Sequence, residues 1–351
     1  LRNCCRCPGT GADISKTRGL FKMDCKIDYQ FTVSADGGGD FRTISEAVAK
    51  IPRGASAEIR IRNGVYREKL RIDAAREIRL IGEDREKTVV TWQDGAYDLF
   101  PDGRKCGTFR SYTLYLGGER ALVKNLTVRN TAGPGDTAGQ AVAVYADAGL
   151  ARFENVSLLG RQDTLFLAPL PEKPRIPGSF VGPGETAPRA GRRDYFQNCY
   201  VEGDVDFIFG GAEAAFCGCT LFSRSRNRRI NGFVTAASTP QKQKYGFLFD
   251  RCRLLSDCAP GTVYLGRPWR EFAAVAFLRC HFGEQIAADG WQLWHPGSSE
   301  AETVRLAEYR NEEPGASGRR PGWVREMTEE EFSEFLREEE NLSCLTAFQQ
   351  G

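Results

Sequence analysis

The chain has 351 residues, and its 48 Lys and Arg against 46 Asp and Glu leave a formal net charge of +2 at pH 7. That balance gives no whole-chain field to draw in nucleic acid or an acidic membrane, so neither is an expected partner. No apolar run approaches the roughly 18 residues of a membrane span, and the length suits either one repetitive domain or two ordinary ones.

Residues 1–22 hold Cys4, Cys5 and Cys7 among Gly, Arg and polar residues with no hydrophobic period. Met23, just ahead of the first strand-like run, is the expected start, and the stretch before it is expected to be leader. Neither an apolar core nor a small-residue cleavage site marks an export signal there. Cys4 and Cys7 make one C-x-x-C with no second pair at finger spacing, so no metal role is assigned to them.

Thr43-Ile44-Ser45-Glu46 is a capping box, followed by Ala47, Val48 and Ile51 and stopped by Pro52. Beyond it one five-residue pattern recurs: KNLTV from Lys124, ENVSL from Glu154, QNCYV from Gln197, CGCTL from Cys217, DRCRL from Asp250 and LRCHF from Leu278. Each has an apolar or Cys centre and another apolar residue two further on, the alternation of a half-buried strand. Taken as one rung per repeat, the pattern predicts an all-β fold, a single-stranded right-handed parallel β-helix with short capping helices at its ends. The centres Leu126, Val156, Cys199, Cys219, Cys252 and Cys280 then form one interior column, rungs about 4.8 Å apart, with the cysteines packing as small hydrophobes.

Residues 168–193 break the pattern with Pro169, Pro171, Pro174, Pro177, Pro183 and Pro188, and read as a long inserted loop. Thr328-Glu329-Glu330-Glu331 is a second capping box, and Phe332, Phe335 and Leu336 follow at helical spacing. The expected organisation is a leader over 1–22, a β-helix over 23–325, and a C-terminal helix and tail over 326–351 packing on it. Asn125, Asn155 and Asn341 head glycosylation-like triplets; the first two fall in expected core strands, and all three are read as chance.

Asp163 lies seven residues after the column centre Val156, and Asp206 lies seven after Cys199. Equal offsets put the two carboxylates side by side on successive coils, where like charges push one pKa up. Arg267 is the candidate cation beside one of them, and Gln140 and Gln162 supply neutral amide donors suited to an oxyanion. The spacing leaves open whether the aspartates only hydrogen-bond turns. With His281 and His295 the only histidines and no G-x-S-x-G, a Ser-His-Asp hydrolase has little material. A lyase or glycosidase on the same fold, and a non-catalytic binder of acidic sugars, stay open alternatives.

The strings around these residues resemble the pectin methylesterase family, the family-eight carbohydrate esterases. They are Asn130-Thr131-Ala132-Gly133-Pro134, Gln140-Ala141-Val142-Ala143-Val144, Gln162-Asp163-Thr164-Leu165, Asp206-Phe207-Ile208-Phe209-Gly210 and Leu265-Gly266-Arg267-Pro268-Trp269. The likeness runs from about Phe31 through Trp294. By that resemblance Asp206 is the nucleophile, Asp163 the general acid and then base, Gln140 and Gln162 the oxyanion donors, and Arg267 the partner that orients Asp206. Trp269, Trp291 and Phe209 are then expected to line the sugar cleft. The resemblance implies methyl-ester hydrolysis on galacturonan or oligogalacturonate by a monomer, with no cofactor and no metal. Gly211 departs from the pattern where Asn is common, and the Pro-rich insertion, longer than the usual connection, is expected to build a wall of the cleft and favour short oligogalacturonates over polymer. With no export signal seen and many thiols, a cytoplasmic setting is expected, although such esterases mostly act outside the cell.

Overall fold

The computed structural model describes residues 26–295 and 297–348. The leader and start expected over 1–23, with Cys4, Cys5 and Cys7, lie outside them. Successive coils build three parallel sheets, of 11, 7 and 8 strands, and the seven coils from Ser56 to Gly266 each feed one strand to each sheet in turn. The fold is a parallel β-helix.

Backbone register aligns the repeats residue for residue. Their first positions, Lys124, Glu154, Gln197, Cys217, Asp250 and Leu278, are successive partners in the 11-stranded sheet. Their fourth positions, Thr127, Ser157, Tyr200, Thr220, Arg253 and His281, are successive partners in the 8-stranded sheet. The repeat is therefore a corner between two sheets, and the expected single strand is corrected. Its second residue does the turning: Asn125, Asn155, Asn198, Gly218, Arg251 and Arg279 all have φ between 50° and 62°. Asn and Gly reach that left-handed region at low cost. Arg279 is held there by a fork onto the carboxylate of Asp250 at 2.7 and 2.9 Å. Asn125 and Asn155 thus sit at corners, outside the core strands, and bond each other side chain to side chain at 3.0 Å.

The column centres are buried, and no described cysteine is in a disulfide. The thiols of Cys199, Cys219, Cys252 and Cys280 donate to the carbonyls of Phe153, Phe196, Phe216 and Phe249, each one coil back. Beside them the rings of Phe153, Phe196, Phe216, Phe249 and Phe277 stack with centroids 4.3 to 4.6 Å apart. Rings one rung apart meet face to face because the rung spacing is close to ring thickness plus contact.

Helix α1 (Ile44–Ala49) closes the N-terminal end, with both halves of its capping box formed and Ile44 and Ala47 in the core. The second capping box also forms, and it starts α3 (Glu329–Leu345). This helix lies along the outer face of the 11-stranded sheet, where Phe332 and Leu342 meet Tyr195, Cys217, Leu248, Leu278 and Tyr309. The expected cap over the open end is corrected accordingly: the apolar stripe of α3 finds its match in outward-facing apolar residues of the sheet. Ile286 and Trp291, which extend the 7-stranded sheet by single bridges, fill the last coil instead. Between Leu167 and Arg193 the chain leaves the coil, and this Pro-rich excursion packs Phe180 against Phe109 and Trp269.

Candidate active site

Asp163 and Asp206 each precede a strand of the 7-stranded sheet by two residues, Leu165 and Ile208, which are register partners. The preceding strands, from Ser157 and Tyr200, are in register too, so no residue is gained or lost between coils. Both aspartates have positive φ, 64° and 51°, and both are largely buried, at 8% and 5% exposed. They face one cavity of about 340 Å³, shared with Gln140, Gln162, Phe209, Arg267 and Trp269. Seven of the eight residues named from the sequence thus line a single cleft.

The eighth, Trp291, is corrected. It is 2% exposed, packs on Phe277 inside the coil, and donates its indole N–H to Glu308 at 2.8 Å. Its bridge to Gly266 fixes it as an inward-facing residue of the last coil. Trp294, three residues on, takes the cleft position instead.

Arg267 grips Asp206 with both arms of its fork, Nε to Oδ1 at 2.9 Å and Nη2 to Oδ2 at 2.6 Å. The guanidinium is itself sandwiched between the rings of Phe233 at 4.1 Å and Trp294 at 3.9 Å. Planar stacking plus a bidentate pair leaves Asp206 little rotational freedom. Burial pushes the Asp206 carboxyl above its ordinary range, and the Arg267 bonds and charge pull it back. Burial raises the Asp163 carboxyl much further, and the Asp206 charge adds to it, with Arg267 opposing and Asp204 reinforcing. No hydrogen bond from the described residues reaches the Asp163 carboxyl. The pair is thus divided by environment into an anchored carboxylate and a neighbour that favours its proton.

Gln140 and Gln162 sit on the adjoining wall, and within the described residues neither side-chain amide has a hydrogen-bond partner. Short helix α2 (Gly135–Ala138) presses on Gln162: a Cβ at Gly135 would stand 2.3 Å from the Gln162 Oε1. Glycine at 135 is what allows that approach. Gly211, the departure from the family pattern, keeps its turn bonded, donating to Leu167 and accepting from Gln243.

Sequence reasoning missed Phe233 and Trp294, which hold Arg267, and Thr108, Phe109, Ala236 and Arg270 of the lining, while the Pro-rich insertion expected to wall the cleft supplies Arg175, Ile176, Ser179 and Phe180. Trp294 was within reach as the second Trp of a W-x-x-W, and Arg270 directly follows the string that holds Arg267. Thr108 and Phe109 carry no signal, since they arrive on a 3₁₀ turn (Thr108–Arg110) remote in sequence.

Comparison with known proteins places the chain in a family. The Pectinesterase family model matches residues 30–169 and 181–338, leaving 170–180 of the Pro-rich insertion between its two stretches. Pectinesterase 1 of Citrus sinensis is 33% identical over 299 residues, covering 82% of this chain and 46% of its own length. The chain spans about half the length of several such curated relatives. Among solved structures, pectin methylesterase from carrot superposes with a TM-score of 0.74 at 28% identity, over 92% of this chain and 97% of that one. A pectin methylesterase in complex with a hexasaccharide gives 0.70 at 27% identity, over 91% and 97%. With the family model matched over most of its length and curated relatives at a third identity, this chain belongs to the pectinesterase family.

Proposed function

We propose that the chain hydrolyses methyl esters of galacturonate residues in pectin or oligogalacturonates, releasing methanol through a covalent acyl-enzyme. The observation that carries this reading is the division of labour between two carboxylates in register, one forked by Arg267 and one free of protein partners. An oxygen of Asp206 attacks the ester carbonyl carbon, and the carbonyl oxygen becomes an oxyanion that accepts from the amides of Gln140 and Gln162. As the tetrahedral centre collapses, the C–O bond to methoxide breaks and Asp163 delivers its proton, so methanol leaves. An anhydride between Asp206 and the sugar carboxyl remains. Asp163, now an anion, takes a proton from water, the hydroxide adds to the anhydride, and galacturonate departs with Asp206 regenerated.

The deciding assay is methanol release from methyl-esterified galacturonan by the native chain. An unsaturated, ultraviolet-absorbing sugar in place of methanol would assign the site to a lyase.

The Pro-rich excursion supplies Arg175, Ile176, Ser179 and Phe180 to the cleft wall. A wall of that kind favours short oligogalacturonates over polymer. Replacing residues 172–178 by a glycine link is expected to shift the ratio of kcat/KM on pectin to that on methylated trimer upward by roughly 10-fold, the equivalent of about 1.4 kcal/mol. An unchanged ratio rejects the role.

A further inference from the structure

The cleft around Asp206 does not end at Trp269. Past Arg175 and Arg270 it opens into a second groove of about 540 Å³, walled by Pro169 to Lys173 on one side and by Ser238 to Gln241 and Phe272 on the other. Arg175 and Arg270 line both spaces, so they stand at the junction. Arg270 is only partly exposed, lies over the Trp269 ring at 4.8 Å, and donates to the carbonyls of Trp269 and Lys173 at 2.8 and 3.4 Å. Among the described residues no carboxylate pairs with it. Arg175 pairs with Glu300 at 3.2 Å through one nitrogen. Arg189, also on the groove, spends its guanidinium on the loop carbonyls of Gly184, Glu185 and Ala187. The carboxylates on the groove, Glu172 and Glu271, are exposed at its rim.

We propose that Arg270 with Arg175 forms a carboxylate-binding subsite, which takes an unesterified uronate residue of the same chain as the ester being hydrolysed. This rests on the reading that the aspartate pair cleaves uronate methyl esters. A guanidinium binds a carboxylate through parallel charge-assisted N–H donors, whereas a methyl ester offers neither the charge nor the second anionic oxygen. Burial, and the Arg175 charge after it, pull the Arg270 guanidinium down to about 10 with the Glu300 charge opposing, and a further anion at the junction relieves the remaining repulsion. Arg175 lies in the stretch that the family model leaves unmatched, so half of this subsite belongs to the insertion itself.

The test compares kcat/KM for methanol release from two galacturonate trisaccharides, one fully methylated and one carrying a free carboxylate. The native chain is expected to prefer the second, and Arg270→Gln to lower the preference by roughly 10-fold. Arg270→Lys, which keeps charge but loses the fork, falls between. Arg175→Gln, a change on an exposed loop that gives up the single-nitrogen pair with the buried Glu300, lowers the preference in the same direction. A preference unaltered in both Gln variants overturns the subsite. Calorimetric binding of the fully de-esterified trisaccharide needs no turnover: affinity is expected to drop roughly 10-fold in Arg270→Gln, and equal affinities overturn the subsite as well. Absence of methanol from either substrate with the native chain rejects the esterase reading alone, and the calorimetric comparison then decides the subsite by itself.

Discussion

Asp206→Asn lowers kcat for methanol release by on the order of 10⁴-fold, because an amide cannot open the acyl-enzyme route and the remaining groups act as a unit with the one removed. Asn is close in size to Asp and still accepts one hydrogen bond, so the cleft keeps its shape. What changes is charge. Arg267 stays clamped between Phe233 and Trp294 with its anionic partner gone, and an unpaired, largely buried guanidinium is destabilising. The variant is therefore expected to melt below the native chain while staying folded at 25 °C. Initial-rate methanol assays beside circular-dichroism melts check both parts. Residual kcat above about a tenth of native in a folded variant places the nucleophile elsewhere, since loss of a nucleophile costs far more than that.

Asp163→Asn is the second large effect, with an opposite sign in stability. Loss of general acid and base is expected to lower kcat by about 10²- to 10⁴-fold. The native rate is expected to fall as pH rises through the elevated Asp163 pKa, since the first step needs its proton, and the Asn variant loses that limb of the profile. The folded chain holds this proton more tightly than the unfolded chain does, because burial and the Asp206 charge raise the carboxyl in the folded state only. Stability from this group is thus fully present below the ordinary aspartate value of about 4 and is lost as pH rises through the folded pKa. Asn carries no charge to bury. At pH 7 the variant is expected to melt above the native chain, with the two curves converging near pH 4. A Tm difference constant across that range would show that Asp163 carries no such burden.

Local pattern reached far into this molecule. The equal seven-residue offsets of Asp163 and Asp206 from their column centres placed them on neighbouring coils, and the strand registers on both sides of them agree. Both capping boxes formed with reciprocal bonds. Where the reading failed, the failure was one of direction. A five-residue alternation looks the same whether the backbone runs straight or turns once through a left-handed residue, so corners were taken for strands. The stripe of α3 said that the helix needed an apolar surface and not which one, and the sheet face offered more of it than the open end. Trp291 and Trp294 are alike in type and near in sequence. Only the bridge to Gly266 sends the first inward, leaving the second to stack on Arg267.

The sequence by itself determined the coil, the neighbouring aspartates and the family, because a repeat whose rungs stack in register converts spacing along the chain directly into position in space. Only the tertiary structure decided how the carboxylates differ. Burial, the fork of Arg267, the rings of Phe233 and Trp294 and the wall of residues 175–180 come from distant coils and from an excursion outside the repeat. Those contacts are set by side-chain direction and desolvation, which no spacing along a chain encodes.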